Sequence, residues 1–293
     1  MSRFSGMHAA SPPPLDPDTL GLKRLPKVVA TDLDGTLVRS DSTVSEYSQT
    51  VLKRLQAAGV IVIGATGRGP RLLELSRRDV RAADYMVLGQ GAFVYETAGE
   101  SSVTLASKTI AGHKLLRAVE QIEAELGPIN AAVEPVATDR TPLLGDDLPG
   151  WPYAINVDVQ PRQFAYQGQL MKAIWTTNPP MCPQRMVDLA TDIVDTDEIL
   201  VIESGINFAE LCPAGVSKAN GLQVVLNRLG VGFDEVLAFG DASNDLPMLE
   251  AVGHAVAMPH ATDNVKGVVN EVLPYGNDED GVARYLEALL ELA

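Results

Sequence analysis

Two aspartates one residue apart, Asp32-Leu-Asp34, followed by Gly35-Thr36, are the first residues in the chain whose spacing suits catalysis. Asp32 could attack phosphorus and carry an aspartyl-phosphate. Asp34 could protonate the leaving oxygen and later take a proton from water. An Asp-Gly pair between apolar runs is equally a hairpin-turn signal. The flanks tip the balance towards chemistry: Lys27-Val-Val-Ala-Thr31 is solidly apolar rather than alternating, and the chain leaves through the polar Arg39-Ser-Asp-Ser-Thr43.

Three further groups bear on the same chemistry. Thr66-Gly67-Arg68 offers a hydroxyl and free backbone N–H groups where a strand passes into a helix, a ready anion site, although an ordinary capped turn reads the same way. Lys218 opens a helix, where a cation opposes the macrodipole by about 0.3–1 kcal/mol. A phosphoryl oxygen and a nearby carboxylate would account for that placement, and a flexible surface lysine is the alternative. Gly240-Asp241-Ala-Ser-Asn244-Asp245 also follows a strand and opens a helix. Its carboxylates would repel Asp32 and Asp34 unless a cation sat among them. Mg²⁺, which binds through one or two carboxylates plus substrate phosphate, fits that need, while simple N-capping is the alternative. Each group alone has a dull explanation, but all four fall at expected strand ends or helix starts, the edge at which open parallel sheets bind ligands.

The elements that must deliver them can be read from periodicity. Residues 27–31, 60–65 and 85–88 are short apolar runs suited to buried strands. Between them, Ser45 caps a helix whose Tyr47, Val51, Leu55 and Ala58 share one face and which Gly59 stops, and a second helix covers 70–78. This βαβαβ order implies a parallel sheet with covering helices. The last third repeats the pattern, with helices at 218–229, 245–252 and 281–292 and strands at 235–239, 254–258 and 271–273. In the middle, a helix at 111–126 ends at Gly127-Pro128, strand-like segments such as 151–159 follow, and prolines cluster. The expected division is a loose N-terminal tail at 1–26, a catalytic core at 27–92 and 207–293, and an inserted α/β domain at 93–206.

Composition narrows the partners. With 46% hydrophobic residues in 293, the chain can bury one large core or two ordinary ones. A net charge of −15 repels phosphate backbones and anionic lipid, so neither nucleic acid nor membrane is expected as a partner. A small anionic substrate would then need a local cationic pocket. Cys182 and Cys212 are too few for a disulfide framework, although one bridge is open, and they fit a reducing compartment. Residues 1–26 carry no continuous apolar signal region, and the longest apolar stretches are too short to span a bilayer. The expectation is a soluble cytoplasmic protein, monomeric or a small homo-oligomer.

Taken together, Asp32-Leu-Asp-Gly-Thr36, Ala65-Thr-Gly-Arg68, Lys218 and Gly240-Asp-Ala-Ser-Asn-Asp245 resemble the haloacid dehalogenase superfamily, and their order, spacing and insert look like its Cof-type sugar-phosphate phosphatase branch. The resemblance covers about Lys27 to the C-terminus. It implies a Rossmann-like parallel-sheet core with an inserted, mobile α/β cap. Asp32 would be the nucleophile and Asp34 the general acid and base. Mg²⁺ would be held by the Asp32 carboxylate, the Asp34 backbone carbonyl and Asp241. Thr66, Gly67, Lys218 and Asn244 would bind or orient phosphate, Asp245 would support Lys218 or a metal-bound water, and Arg68 is a possible substrate contact. Two departures from the family pattern, Gln90-Gly-Ala92 and Pro259-His-Ala261, leave these residues intact and bear on substrate contacts or cap approach. His113 and His260 read as exposed, and Trp151 and Trp175 as packing residues or lining of the cap face. The expected activity is hydrolysis of a small phosphorylated metabolite. The alternatives are a phosphosugar mutase using the same aspartyl-phosphate and a non-catalytic metabolite-binding module.

Overall fold

The computed structural model describes residues 13–99, 101–137, 140–151, 156–204 and 207–292. In chain order its strands are β1 (Val28–Thr31), β2 (Ile61–Ala65), β3 (Tyr85–Leu88), β4 (Phe93–Glu96), β5 (Val103–Ser107), β6 (Ile110–Ala111), β7 (Ile129–Pro135), β8 (Leu143–Gly145), β9 (Val157–Val159), β10 (Gln169–Thr177), β11 (Ile199–Glu203), β12 (Ala209–Pro213), β13 (Val236–Gly240), β14 (His254–Ala257) and β15 (Glu271–Val272). The α-helices are α1 (Glu46–Ala57), α2 (Leu73–Asp79), α3 (Gly112–Leu126), α4 (Arg162–Ala165), α5 (Pro183–Ile193), α6 (Lys218–Leu229), α7 (Leu246–Ala251), α8 (Asp263–Lys266) and α9 (Gly281–Leu290).

An eight-stranded sheet runs in the order β15-β14-β13-β1-β2-β3-β4-β5. It is parallel from β15 to β3 and antiparallel beyond. The solid apolar run at its centre follows from helices on both faces. Val29 joins the cluster that includes α1 and α9, whereas Val28 and Ala30 join the one formed with α6 and α7. The expected strands and helices of this part are all present, shifted by a residue or two at their ends; the helix at 70–78 opens as a 3-10 turn, Pro70–Leu72, before α2.

A second sheet of seven strands runs β11-β12-β10-β7-β8-β9, with β6 paired to β10. One of its faces is covered by α3 and α5. Leu115, Ala118, Val119 and Ile122 form the buried stripe of α3, at the three- and four-residue spacing of an amphipathic helix. Trp175 packs in that core, and Trp151 lies edge-to-face on Phe208 with ring centroids 5.5 Å apart.

Two boundaries differ from expectation. β4 and β5 pair onto the first sheet, so an insert starting at 93 would begin inside that sheet; it would also end too early at 206, since β12 runs to Pro213. Short antiparallel edge strands resemble the strands of an insert, and only their pairing tells them apart. Residues 13–26 are not a loose tail: Leu20 is buried, and Leu15, Leu22 and Leu25 pack against the first core. Residues 1–12 and 152–155, the latter within the strand expected at 151–159, lie outside the described residues. Both cysteines are free, Cys182 exposed and Cys212 buried. Among the described residues no helix is long and apolar enough to cross a membrane.

Candidate active site

The C-terminal ends of β1, β2 and β13 and the N-terminus of α6 bring the sequence-selected residues to one edge of the first sheet. The Asp32 N–H donates to the Phe239 carbonyl at 3.0 Å, continuing the β1–β13 ladder by one residue. That register sets Asp32 beside Asp241, which follows the end of β13. Gly35 turns the chain away with φ +87°, and a Cβ there would stand 2.7 Å from Asp241 Oδ2. Glycine is therefore required by both the backbone and the close approach. Thr36 Oγ1 then donates to Asp241 Oδ1 at 2.8 Å.

Lys218 is not a surface residue. Its side chain is 0% exposed, and Nζ donates to Asp32 Oδ1 and Asp245 Oδ1, each at 2.5 Å. Ser217 caps α6 by accepting from the Asn220 N–H, which fixes the helix start that carries the lysine. Asp245 uses its second oxygen to accept from the Asp241 and Ala242 N–H groups at 3.0 and 3.1 Å. It thus shapes the loop that presents Asp241.

Carboxylate oxygens of Asp32, Asp241 and Asp245 all lie within 4.8 Å of one another. One buried ammonium cannot balance three carboxylates. Burial raises the Asp32 pKa well above the usual carboxylate range; Lys218 opposes the rise, and Asp245 and Asp241 add to it. Asp241 is raised by burial and by Asp245, against the Thr36 hydrogen bond. Burial works to lower the Lys218 pKa, but Asp245 and Asp32 outweigh it and hold the ammonium above its ordinary value. With Asp245 committed to protein donors, Asp32 and Asp241 are the oxygens left for a cation. An all-oxygen set with excess negative charge suits a hard ion such as Mg²⁺.

Asp34 stands at the rim with its side chain 46% exposed. Arg68 meets it with both arms, Nε to Oδ2 at 2.7 Å and Nη2 to Oδ1 at 2.5 Å, while Nη1 donates to Asp79 at 2.5 Å. The residue expected as a possible substrate contact is therefore paired with two carboxylates. Burial disfavours the Arg68 charge, and Asp34 and Asp79 together more than restore it. Thr66 is buried, and its Oγ1 accepts from the Arg68 N–H at 3.2 Å.

Several contributors were not assigned from sequence. Gln90, one of the departures noted there, is buried with φ +58°; its Oε1 accepts from Asn244 Nδ2 at 3.2 Å, and its Nε2 lies against Gly67. His260 is exposed, as expected, but places Nε2 2.9 Å from the Gly35 carbonyl and 3.7 Å from Asp241 Oδ2. Asp79, the last residue of α2, carries the one clue that could have found it: an acidic residue there opposes the helix dipole. The second sheet also reaches the site. Lys172 on β10 donates to the Gly67 carbonyl at 3.3 Å and to Glu210 at 2.5 Å, and Arg71 lies 3.3 Å from Glu134 on β7.

The family model for haloacid dehalogenase-like hydrolases matches residues 29–137 and 157–286. The chain belongs to that family. Among curated relatives of this hydrolase, a Bacillus subtilis 5-amino-6-(5-phospho-D-ribitylamino)uracil phosphatase is 26% identical, over 91% of this chain and 98% of its own. A phosphoglycolate phosphatase from Methanopyrus kandleri is 29% identical, covering 90% and 97%. Among solved structures, the HAD subclass IIB sugar phosphatase BT4131 superposes with a TM-score of 0.72 at 20% identity, covering 91% of this hydrolase and 100% of that chain. BT1666 from Bacteroides thetaiotaomicron, a HAD-superfamily phosphatase, gives 0.73 at 21%, covering 93% and 97%. These likenesses match the α/β architecture described above.

Proposed function

We propose that this hydrolase is a Mg²⁺-dependent phosphatase that cleaves a small phosphorylated metabolite, a sugar phosphate or similar ester, through an aspartyl-phosphate on Asp32. The observation that carries the reading is the convergence of Asp32, Asp241 and Asp245 within 4.8 Å around the buried Lys218. An anionic nucleophile approaching an anionic phosphoryl group needs its repulsion cancelled where the bond forms. Lys218 supplies one fixed positive charge. Mg²⁺, held by Asp32, Asp241 and the Asp34 backbone carbonyl, would supply the rest by neutralising phosphoryl oxygens.

The placement of the other residues supports the following roles. Asp32 attacks phosphorus and Asp34 gives a proton to the departing alkoxide. Asp34 then removes a proton from the water that attacks the aspartyl-phosphate, releasing inorganic phosphate. Thr66 and the Gly67 N–H face the phosphoryl group, and Asn244 orients it. Asp245 holds Lys218 and the 241–242 loop. The second sheet, with Lys172 seated on Gly67, acts as a cap that covers the ester and sets its specificity. The relatives named as phosphatases of a phosphoribityl compound and of phosphoglycolate support an alkyl phosphate as substrate class.

Asp32→Asn retains the volume of the side chain but not the nucleophile. It is expected to abolish Mg²⁺-dependent phosphate release across a panel of sugar phosphates, nucleotides and cofactor phosphates. Wild-type rates in that variant would remove Asp32 from the mechanism.

A further inference from the structure

We infer that Asp280, near the end of the chain, is a positioning residue for Asp34, an inference that rests on the reading of Asp34 as the general acid. Asp34 is half-exposed, so packing does little to aim it; its direction depends on Arg68 and on the backbone that follows. That backbone is a short arm. Val38 forms an isolated parallel bridge with Asp34, and the Val38 N–H donates to the Leu33 carbonyl at 2.8 Å.

The turn at 276–280, immediately before α9, holds this arm along its length. Asn277 Nδ2 donates to the Val38 carbonyl at 2.9 Å. Asp278 accepts from the Ser40 N–H at 2.8 Å and its hydroxyl at 2.9 Å. Asp280 takes Arg39 through both oxygens, at 3.2 and 2.6 Å, and its Oδ1 also accepts from the hydroxyls of Ser45 at 2.8 Å and Ser48 at 3.1 Å. One carboxylate with only 8% of its side chain exposed thus joins the arm, the N-cap of α1 and the start of α9.

The backbone at Asp280 has φ +60° and ψ 38°. Asparagine suits that left-handed conformation as well as aspartate does, so backbone geometry alone does not call for a carboxylate. Its four hydrogen bonds, all from side chains of residues 39–48, do. Releasing them would leave the arm tied to that turn by Asn277 at Val38 and Asp278 at Ser40 alone, and a displacement near 1 Å can cost on the order of 100-fold in a proton transfer that depends on alignment.

Leaving groups separate this role from simple support of the fold. An alkoxide departs only if protonated, whereas nitrophenolate departs without help. The experiment compares leaving-group release in the first turnover for a sugar phosphate the enzyme hydrolyses and for p-nitrophenyl phosphate. In Asp280→Asn, alkyl ester cleavage is expected to slow about 10- to 100-fold and nitrophenol release by less than about threefold. Arg39→Gln cuts the same tie from a partly exposed residue and should show the same asymmetry if Asp280→Asn does not fold. Equal slowing of both esters, or no slowing of either, would overturn the inference. Asp34→Asn is the reference: if it too slows both esters equally, the assignment of Asp34 as the acid is what fails.

Discussion

A lysine in the first turn of a helix works against the helix dipole, and Lys218 is removed from water as well. Nothing but its charge partners explains that position. Its burial is not legible in the local sequence, where a surface lysine is the favoured reading until the other motifs are counted; the carboxylates that hold it come from Asp32 and Asp245, far apart in the chain. The same distance hid Asp280, since an ion pair between remote residues leaves no local pattern, whereas Asp79, nearer to Arg68 in the chain, left its unfavourable place at the end of α2 as the one clue. The aspartates and glycines of the motifs were legible because their spacing is local. The raised pKa values of Asp32 and Asp241 give a pH prediction with a definite sign. Each folded value lies above the unfolded one, so without metal their contribution to stability is present at low pH and fades as pH rises from the ordinary carboxylate range through the raised values. A cation stabilises the ionised forms. The increase in melting temperature caused by Mg²⁺ should therefore grow as pH rises above the ordinary carboxylate range, because proton loss precedes binding; a gain that shrinks as pH rises would contradict the assignment of these ligands.

At the level of elements, α6 is the lever that carries Lys218 into the site, and it lies unusually close to the turn after β3. A Cβ on Gly221 would stand 2.4 Å from Val87 Cγ1 and 2.8 Å from the Gly91 Cα. Backbone cannot yield there as a side-chain end can. Gly221→Ala is expected to lower unfolding stability by about 1–3 kcal/mol in urea titrations and to weaken turnover by shifting Lys218; a stability equal to wild type would show that the contact is looser than described. The parallel core was readable because strands buried on both faces become continuous apolar runs. The antiparallel edge β4–β5 and the packed segment 13–26 were not, since each owes its place to pairing or docking that alternation does not encode.

Across the whole molecule, the two sheets meet through charge as well as apolar contact. Arg71, Glu134, Lys172 and Glu210 are all buried where the second sheet sits on the loop after β2, and Gly69 leaves room for Glu134 to approach. Leu200, Ile202 and Cys212 of the second sheet pack into the first core beside them. A seam of paired charges parts at less cost than a purely apolar one, because each charge regains water when it opens. That suits the cap role proposed above for the second sheet. The central claim remains covalent: the phosphoryl group passes through Asp32. Rapid acid quenching of the protein with a hydrolysed phosphate ester and Mg²⁺, followed by mass spectrometry of its peptides, tests it directly. The account predicts a phosphate adduct on the peptide containing Asp32, absent from Asp32→Asn. An adduct on another residue, or turnover with no adduct at any quench time, would contradict it.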